Sequence, residues 1–452
     1  MQAKPYPKYK PSGVDWLGDV PEHWEAKRLK YSASINDEAL PDTTLPDFEF
    51  KYVDIGGVNA VDGITATEEV VFENAPSRAR RKVRHGDTIV STVRTYLRAI
   101  APIKNPPENL IVSTGFAVVR PRKVEPGFLA YALRESSFIE SVVARSTGVS
   151  YPACNASEVS GIAIPLPTPA EQRSIASYLD RETGRLDRLV AKKRELIERL
   201  KEKRTALISR TVTRGLPPAA ARAAGLPENP HLKSSGHPWL DDIPQHWEVK
   251  RLKEVSVLFG RIGFRGYSTD DLVYEGEGAI SMSPSNMSDG VVSLDKCTWL
   301  SWEKYHESPE IQVQPEDVIM VKTGSTLGKT AFVLSVPVPM TVNPQLMIFK
   351  EVKCSKRFLF YYVFSKIVQD VIPLHNTGST IPTMTQEGIG KLPFPHPPLP
   401  EQAAIAAYLD VETAKLDSLV GKVEEAVERL QEYRTALITA AVTGKIDVRN
   451  YE

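Results

Sequence analysis

One long amphipathic segment occurs twice in this chain of 452 residues, and that repetition limits the folds open to it. Residues 171–208 read EQRSIASYLDRETGRLDRLVAKKRELIERLKEKRTALI, and residues 401–438 read EQAAIAAYLDVETAKLDSLVGKVEEAVERLQEYRTALI. Neither stretch contains a proline, and apolar residues recur in both at the three- and four-residue spacing of a coiled coil. A chain that repeats a long helix in this way is expected to consist of two copies of one unit.

The apolar stripe of each predicted helix is too long to be covered by one small domain. A helix of this length extends about 57 Å, so we expect the two helices to pair with each other. Residues 171–215 carry 13 Lys or Arg and 7 Asp or Glu, whereas residues 401–452 carry 6 and 10, which favours that pairing. Packing of each helix on a local core is the alternative. The predicted coiled-coil packing residues are Ile175, Leu179, Leu186, Leu189, Leu196, Leu200 and Leu207 in the first copy and Ile405, Leu409, Leu416, Leu419, Val423, Leu430 and Leu437 in the second.

Composition places the chain among ordinary water-soluble proteins. Hydrophobic residues make up 42% and charged residues 25%, and the net charge of zero argues against a strongly basic nucleic-acid binder. No apolar run approaches the roughly 20 residues of a membrane span, and the amino-terminal MQAKPYPKYKPSG lacks the apolar region of a signal peptide. Cys154, Cys297 and Cys354 lie far apart, which predicts neither disulfides nor a zinc site and indicates a reducing cytoplasm.

A second repeat precedes each long helix. Residues 12–30 (SGVDWLGDVPEHWEAKRLK) return at 235–253 (SGHPWLDDIPQHWEVKRLK), and their tryptophans around a proline predict a docking segment that closes a domain. Both copies then show short strand-like runs and one helical stretch, at residues 127–144 and 356–371. The sequence therefore predicts an α+β fold: two similar globular α/β domains joined by two long helices that form an antiparallel coiled coil with pseudo-twofold symmetry.

The predicted boundaries follow the two repeats and a linker rich in Ala, Pro and Gly between them. The segments are residues 1–169 and 235–399 for the globular domains, 170–214 and 400–446 for the helices, 215–234 for the linker and 447–452 for a tail. Two similar domains on rods suit a long ligand with recurring features. DNA is such a ligand, because half-sites on one face recur about every 10 base pairs.

Three motifs give this architecture a specific resemblance. They are the WLG-x-[IV]-P-x-x-W opening at residues 16–24, the stretch from TG-x-x-x-P to P-L-P-x-P-x-EQ at residues 147–172, and the EQ-x-x-I-A-x-YLD-x-ET-x-x-LD start of the long helix. Together with the order of the parts, they resemble the specificity subunit of type I restriction-modification systems over nearly the whole chain.

The resemblance implies two target recognition domains, each binding one half of a bipartite, asymmetric site in double-stranded DNA. It also implies that the helices set the unread gap and dock two modification (methyltransferase) subunits, which separate restriction and translocase subunits join. S-adenosylmethionine, ATP and magnesium would then bind the partner subunits. This chain would itself hold no catalytic residue, cofactor or metal.

Basic and hydroxyl-rich stretches supply the candidate DNA contacts. RARRKVR at residues 78–84 predicts either a phosphate-contacting edge or a solvated loop, and the residues after the strand GDTIVSTV could reach a groove. The two copies differ here, as domains with different targets would and as loosely constrained loops would too. The candidates are Arg78, Arg80, Arg81, Lys82, Arg84, Arg94, Thr95, Tyr96 and Arg98 in the first copy and Arg261, Arg265, Lys322, Ser325, Thr326 and Lys329 in the second.

Three short motifs resemble catalytic or cofactor sites. Residues 105–108 (NPPE) lack the aromatic residue of adenine methyltransferase motifs, and residues 324–330 (GSTLGKT) are one glycine short of a phosphate-binding loop. The third is a loose D…E-x-K spacing typical of metal-dependent nucleases, formed by Asp242, Glu248 and Lys250 and, in the other copy, by Asp19, Glu25 and Lys27. A duplicated nuclease is therefore the rival hypothesis, and a structural coiled-coil adaptor is a third.

Overall fold

The computed structural model describes residues 4–59, 63–261, 266–376, 378 and 380–451. The chain forms two compact units, Met1–Arg194 with Glu424–Glu452, and Glu195–Val423. Each unit therefore combines a globular α/β part with portions of the same two long helices. Each unit is described by itself below.

The globular part of the first unit is built on two four-stranded sheets. One is antiparallel with the order β11-β10-β13-β4, and the other has the order β8-β5-β12-β9 with β5 and β12 parallel. β3 and β14 form an antiparallel ribbon that joins the amino-terminal segment to the residues before the long helix. The strands are β1 (Tyr9–Pro11), β2 (Asp19–Pro21), β3 (Glu25–Arg28), β4 (Ala33–Ile35), β5 (Glu49–Val53), β6 (Val58–Asn59), β7 (Gly63–Ile64), β8 (Glu68–Val71), β9 (Ala79–Lys82), β10 (Thr88–Ser91), β11 (Ile100–Pro102), β12 (Leu110–Ser113), β13 (Phe116–Pro121) and β14 (Ala163–Leu166).

The helices of this unit follow the sheets in the chain. They are α1 (Pro126–Leu133), α2 (Ser136–Ala144), α3 (Ala156–Gly161) and the long helix α4 (Pro169–Arg214), which continues into the second unit.

The second unit repeats this plan with additional short strands. Its larger sheet has the order β18-β27-β24-β25-β22-β21, a second sheet has the order β19-β23-β20-β26, and β17 with β28 forms the ribbon equivalent to β3 and β14. The helices are α5 (Pro218–Ala223), α6 (Leu252–Val255), α7 (Trp302–His306), α8 (Lys356–Phe364), α9 (Lys366–Val371), α10 (Gln386–Gly390) and the long α11 (Leu399–Val442). The strands are β15 (Leu232–Lys233), β16 (Ile243–Pro244), β17 (Glu248–Arg251), β18 (Val257–Phe259), β19 (Leu272–Val273), β20 (Ala279–Met282), β21 (Met287–Ser288), β22 (Val291–Val292), β23 (Thr298–Leu300), β24 (Val318–Val321), β25 (Thr330–Phe332), β26 (Met340–Val342), β27 (Leu346–Lys350) and β28 (Pro393–His396).

The single helix predicted before each companion segment is two helices in both units. Glu135 separates α1 from α2, and Ser365 separates α8 from α9; both residues have extended backbone. The buried Glu135 carboxylate caps α2 by accepting a hydrogen bond from the Phe138 N–H at 3.0 Å. The apolar spacing in the sequence continues across this break, which explains why periodicity alone did not reveal it.

The repeated amino-terminal segment closes the core of each unit. Trp24 and Trp247 are fully buried in hydrophobic clusters that include residues of the long helices. A histidine beside each tryptophan lies against a buried glutamate in the first turn of a long helix. The Nε2–carboxylate separations are 2.8 Å for His23–Glu171 and 2.8 Å for His246–Glu401.

The two long helices form the predicted antiparallel coiled coil. In the first unit Asp187 of α4 pairs with Arg434 of α11. In the second unit Arg204 of α4 pairs with Asp417 of α11, so partner numbers fall as the numbers along α4 rise. Within the described ranges, no helix is long and apolar enough to cross a membrane.

The packing stripe differs from the predicted stripe at every second position. Leu189, Leu196 and Leu419 are 42%, 41% and 43% exposed, which corrects their assignment as packing residues. The stripe instead continues from Thr183, whose hydroxyl donates to the Leu179 carbonyl at 2.6 Å and is therefore buried with its hydrogen bond made. Their neighbours Val190, Ile197 and Val427 are buried, as are the predicted Ile175, Leu179, Leu186, Leu200, Ile405, Leu409, Leu416, Val423 and Leu437, while Leu207 and Leu430 are partly buried.

Candidate nucleic-acid interface

Two loops meet beside the antiparallel sheet of the first unit. The tip loop, residues 92–98, leaves β10, makes a 3-10 turn at Thr95–Leu97 and returns to β11. The companion loop, residues 146–153, connects α2 to α3. The Arg94 N–H donates to the Pro152 carbonyl at 2.8 Å, and Val93 and Ala153 form a β-bridge. Backbone contacts therefore hold the two loops together.

The second unit builds the same pair of loops at positions 230 residues later. Its tip loop is residues 322–328, after β24, and its companion loop is residues 376–383, of which 377 and 379 lie outside the described residues. The Gly324 N–H donates to the Pro382 carbonyl at 2.9 Å, and Thr323 forms a β-bridge with Thr383. The scaffold is shared, although the side chains it carries differ.

Aromatic and apolar side chains surround Arg94 in the first unit. Tyr96, Leu97, Val149 and Tyr151 are all exposed, Tyr151 to 62%. The Arg94 guanidinium lies over the Tyr151 ring at 4.7 Å from its centroid. Exposed rings can stack on nucleotide bases, and a guanidinium can bind the acceptor atoms at a base edge. The arrangement suits contact with nucleic acid.

Sequence analysis missed two members of this surface, Val149 and Tyr151. Residues 147–152 entered it only as part of a family motif. The available signal was the alternation of apolar and small residues in STGVSYP, which is unusual for a loop with a solvated surface.

Comparison with known proteins assigns the chain to a family. The family model described as the type I restriction modification DNA specificity domain matches residues 21–199 and 244–429. The chain belongs to this family. The resemblance found in the sequence is thereby confirmed.

Relatives of this specificity-domain family match the chain over almost its full length. It is 23% identical to the putative type I restriction enzyme MjaX specificity subunit of Methanocaldococcus jannaschii over 96% of both chains, and 23% identical to the MjaVIII specificity subunit of the same organism over 95% of both. A solved chain from work on complex assembly and conformational transition of the type I R-M system has a TM-score of 0.71 at 24% identity, covering 94% of this chain and 99% of that one. The HsdS subunit of Thermoanaerobacter tengcongensis has a TM-score of 0.50 at 24% identity, covering 94% and 98%. These structures show the shared fold.

The remaining tip-loop candidates of this specificity-family chain have structural partners. Thr95 is buried, and its hydroxyl lies 2.8 Å from the Ser146 hydroxyl, which corrects its assignment as a DNA contact. Arg98 is exposed but forms an ion pair with Glu140 of α2. Thr95 and Arg98 therefore tie the tip loop to the helical layer, whereas Arg94 and Tyr96 remain at its surface.

The basic stretch at residues 78–84 contains β9, which lies at the edge of its sheet. Arg80 covers the Phe72 ring at 4.7 Å, and Arg84 pairs with Glu38 at 2.6 Å. Arg78 is exposed, while Arg81 and Lys82 within the strand are half-buried. The stretch is thus a strand edge rather than a solvated loop, and Arg78 is its most accessible cation.

Two candidates of the second unit are interior residues. Arg261 is 1% exposed, and its Nε donates to the Val342 carbonyl at 3.4 Å. Lys322 is also buried, with its Nζ donating to the Arg261 carbonyl at 3.4 Å, and burial lowers its pKa. Both assignments as DNA contacts are corrected, because neither head group can reach a ligand at the surface.

The other candidates of the second unit lie around its tip loop. Ser325 and Thr326 are exposed at the tip. The Lys329 Nζ donates to the Pro284 carbonyl at 3.1 Å, which draws it towards the sheet. Arg265 lies outside the described residues.

A buried ion pair occupies the equivalent place beneath each tip loop. The Arg120 guanidinium on β13 donates to both carboxylate oxygens of Asp87, at 2.9 and 2.8 Å. The hydrogen bond to Asp87 raises the pKa of Arg120 above its usual range. In the second unit Lys350 on β27 donates to Asp317 at 2.6 Å. These pairs anchor the strands from which the tip loops emerge.

The motifs that resembled catalytic sites have other roles in this family member. Glu248 and Lys250 pair with each other at 3.4 Å on the β17–β28 ribbon. Among the described residues, no group of three or more His, Cys, Asp or Glu side chains could hold a metal ion. The two glycines of GSTLGKT shape the second tip loop, with φ of 116° at Gly324 and 88° at Gly328. The comparisons support neither the nuclease nor the adaptor hypothesis.

Proposed function

We propose that this chain is the DNA sequence-specificity subunit of a type I restriction-modification complex. It binds a bipartite, asymmetric site in double-stranded DNA, one half through residues 1–169 and the other through residues 235–399. One observation carries the proposal: both units build the same tip and companion loops, joined by the same backbone hydrogen bond, and present different side chains on them. A shared scaffold with different contact residues suits two target recognition domains with different half-sites.

The long helices serve as ruler and docking platform in this proposal. Residues 170–214 and 400–446 set the unread gap between the half-sites and dock two modification subunits, which restriction and translocase subunits join. The leucines that face away from the packing stripe, including Leu189 and Leu419, supply exposed apolar surface for such docking. The chain itself is non-catalytic. S-adenosylmethionine, ATP and magnesium bind the partner subunits, and the complex works in the cytoplasm.

A methylation map tests this function directly. The chain is co-expressed with its modification subunit, and host DNA is sequenced for N6-methyladenine. We expect a two-part motif with a constant gap. A correctly assembled complex that methylates without any motif, or with an undivided one, contradicts the proposal.

Exchange of a globular domain tests the assignment of one half-site to each. Residues 31–160 are replaced by the equivalent segment of a related subunit with another target. Only one half of the methylated motif should change, and the reciprocal exchange in the second globular domain should change only the other half. A change in both halves, or in neither, would exclude independent target recognition domains.

A further inference from the structure

Left-handed backbone occurs at two equivalent places in the tip loops, but the residues there differ between the units. Gly324 and Gly328 of the second unit have φ of 116° and 88°. Arg94 and Arg98 stand at the corresponding places of the first unit, with φ of 53° and 52°. Glycine adopts such angles freely, whereas arginine is disfavoured there by its Cβ. The first unit therefore carries two strained arginines where the same turn can be made from glycine.

Strain at Arg98 has an explanation within the fold. Its guanidinium pairs with Glu140 of α2. Arg98 thus contributes to attaching the tip loop to the helical layer, a role that Gly328 cannot have.

Strain at Arg94 has no comparable return within the fold. Its side chain is exposed and lies flat over Tyr151, itself largely exposed, while its backbone N–H makes the bond to Pro152 that Gly324 makes equally well to Pro382. A surface contact of this kind adds little stability. Residues held in disfavoured backbone conformations concentrate at functional sites, where the surrounding structure keeps them in place.

The stacked geometry prepares the Arg94 guanidinium for a planar ligand. One face of the group is covered by the Tyr151 ring, and the N–H donors lie in the plane of the guanidinium, at its edge. Those donors match the paired O6 and N7 acceptors of guanine in the major groove. Tyr151 restricts the rotamers of a long side chain before DNA arrives, which reduces the entropy lost on binding.

We infer that Arg94 is a specificity-determining residue of the first unit, that it binds a guanine edge in one half-site, and that Tyr151 is its positioning residue. The inference rests on the proposed function. The second unit cannot use this contact, because Gly324 replaces Arg94 and Ile381 stands where the first unit has Tyr151. Its half-site is read by other side chains, with the exposed hydroxyls of Ser325 and Thr326 at its tip.

The test replaces Arg94 by the residue that the second unit uses. Arg94→Gly is assembled with the modification subunits, and its affinity is measured for duplexes carrying the wild-type motif and for the same duplexes altered one base pair at a time. We expect affinity for the wild-type motif to fall roughly 10- to 100-fold. Discrimination should be lost at one G·C pair of one half-site and kept at every other position, while the melting temperature stays the same or rises because strain is relieved.

Two further variants separate reading from charge and from packing. Arg94→Lys keeps the charge but loses the planar fork, so discrimination at the same G·C pair should fall as it does in Arg94→Gly. Tyr151→Ala should weaken discrimination at that pair, and Tyr151→Phe, which keeps the ring, should restore it. Glu351→Gly is the matched control, because Glu351 is exposed and has φ of 47° in a turn of the second unit away from both tip loops.

The possible results separate this inference from the proposed function. Unchanged affinity and motif in Arg94→Gly would overturn the inference, and so would an equal loss of affinity on every sequence, which is the behaviour of a phosphate contact. Failure of the wild-type complex to select a bipartite motif would instead overturn the proposed function.

Discussion

The Arg434 Nε atom of α11 donates to Asp187 of α4 at 2.9 Å, and Arg204 of α4 approaches Asp417 of α11 at the same 2.9 Å. The repeat relates the two pairs, because Asp187 corresponds to Asp417 and Arg204 to Arg434. Both arginines occupy the packing stripe, one heptad after a buried apolar residue, and their side chains are only 20% and 12% exposed. A polar residue in such a stripe specifies register at some cost in stability. The antiparallel register is thus specified by one ion pair that occurs twice.

Reversal of one ion pair tests its role in register. Asp187→Arg places two arginines together and should lower the free energy of unfolding of the full chain by about 1 kcal/mol. Adding Arg434→Asp restores the pair with opposite polarity and should recover most of that loss, as urea unfolding can measure. Glu195→Arg, at an exposed position of α4, is the control for added positive charge. A double variant no more stable than the single one would show that the pair does not specify register.

The contact between Glu171 and His23 should make stability depend on acid pH. Burial raises the pKa of the Glu171 carboxyl, but the hydrogen bonds from His23, Thr168 and Trp24 outweigh burial and hold the pKa below its usual value. A depressed pKa stabilises the folded state above the ordinary glutamate pKa of about 4.3, and that contribution is lost as pH falls through the depressed value.

Glu171→Gln gives this pH dependence a measurable form. The melting temperature of the wild type should exceed that of the variant at pH 7, and the difference should shrink below about pH 4. Glu22→Gln, whose side chain is 62% exposed, is the control. The charged or titratable groups Tyr6, Asp447 and Arg449 also face this site and remain the same in all three proteins. A difference that does not change with pH would mean that the carboxylate charge is not what stabilises the contact.

The buried pair beneath the first tip loop should be important for stability. Asp87→Asn leaves Arg120 with a buried charge that Glu38 alone must balance, and we expect a loss of about 3 kcal/mol in the free energy of unfolding. Denaturant unfolding measures the loss, and Asp42→Asn, at a fully exposed carboxylate 4.0 Å from Arg80, should change stability little. Equal effects of the two substitutions would show that burial of the pair does not matter.

Shortening both long helices tests whether they set the gap. Deletion of residues 192–198 and 422–428 removes one heptad from the middle of each helix, about 10.5 Å of rise, which corresponds to roughly three base pairs. The methylated motif should keep both half-sites and lose about three base pairs of gap. Deletion from the linker, residues 226–229, is the control and should leave the gap unchanged. A motif with its original gap after the helix deletions would exclude the helices as the ruler.

The coiled coil was predictable because its signal is local. Apolar spacing and the absence of proline identify a helix within one stretch of chain, and the recurrence of that stretch identifies a partner for it. The finer register was not predictable from hydrophobicity, since Leu189 is more apolar than the neighbouring Val190 and yet faces away from the stripe. A buried Thr183 starts the true stripe, and its burial depends on a hydrogen bond within the folded helix.

Local sequence also indicated where contacts with DNA might be sought, but not which side chains are available. The stretch around Arg94 was identified because basic residues follow a strand. Lys322 follows the equivalent strand and looked the same in sequence, yet it is buried against the Arg261 carbonyl. Accessibility depends on neighbours from distant parts of the chain, which no local pattern encodes.

The sequence by itself determined the duplicated architecture, the two long helices, the family and the approximate position of the tip loops. Each of these follows from periodicity, repetition or a motif within a short stretch of chain. Only the tertiary structure decided that Arg94 stacks on Tyr151, that Arg98 pairs with Glu140, and that arginine stands in left-handed backbone where the other unit has glycine. These relationships join residues tens of positions apart, and they exist only because packing of the sheets and helices brings the tip and companion loops together.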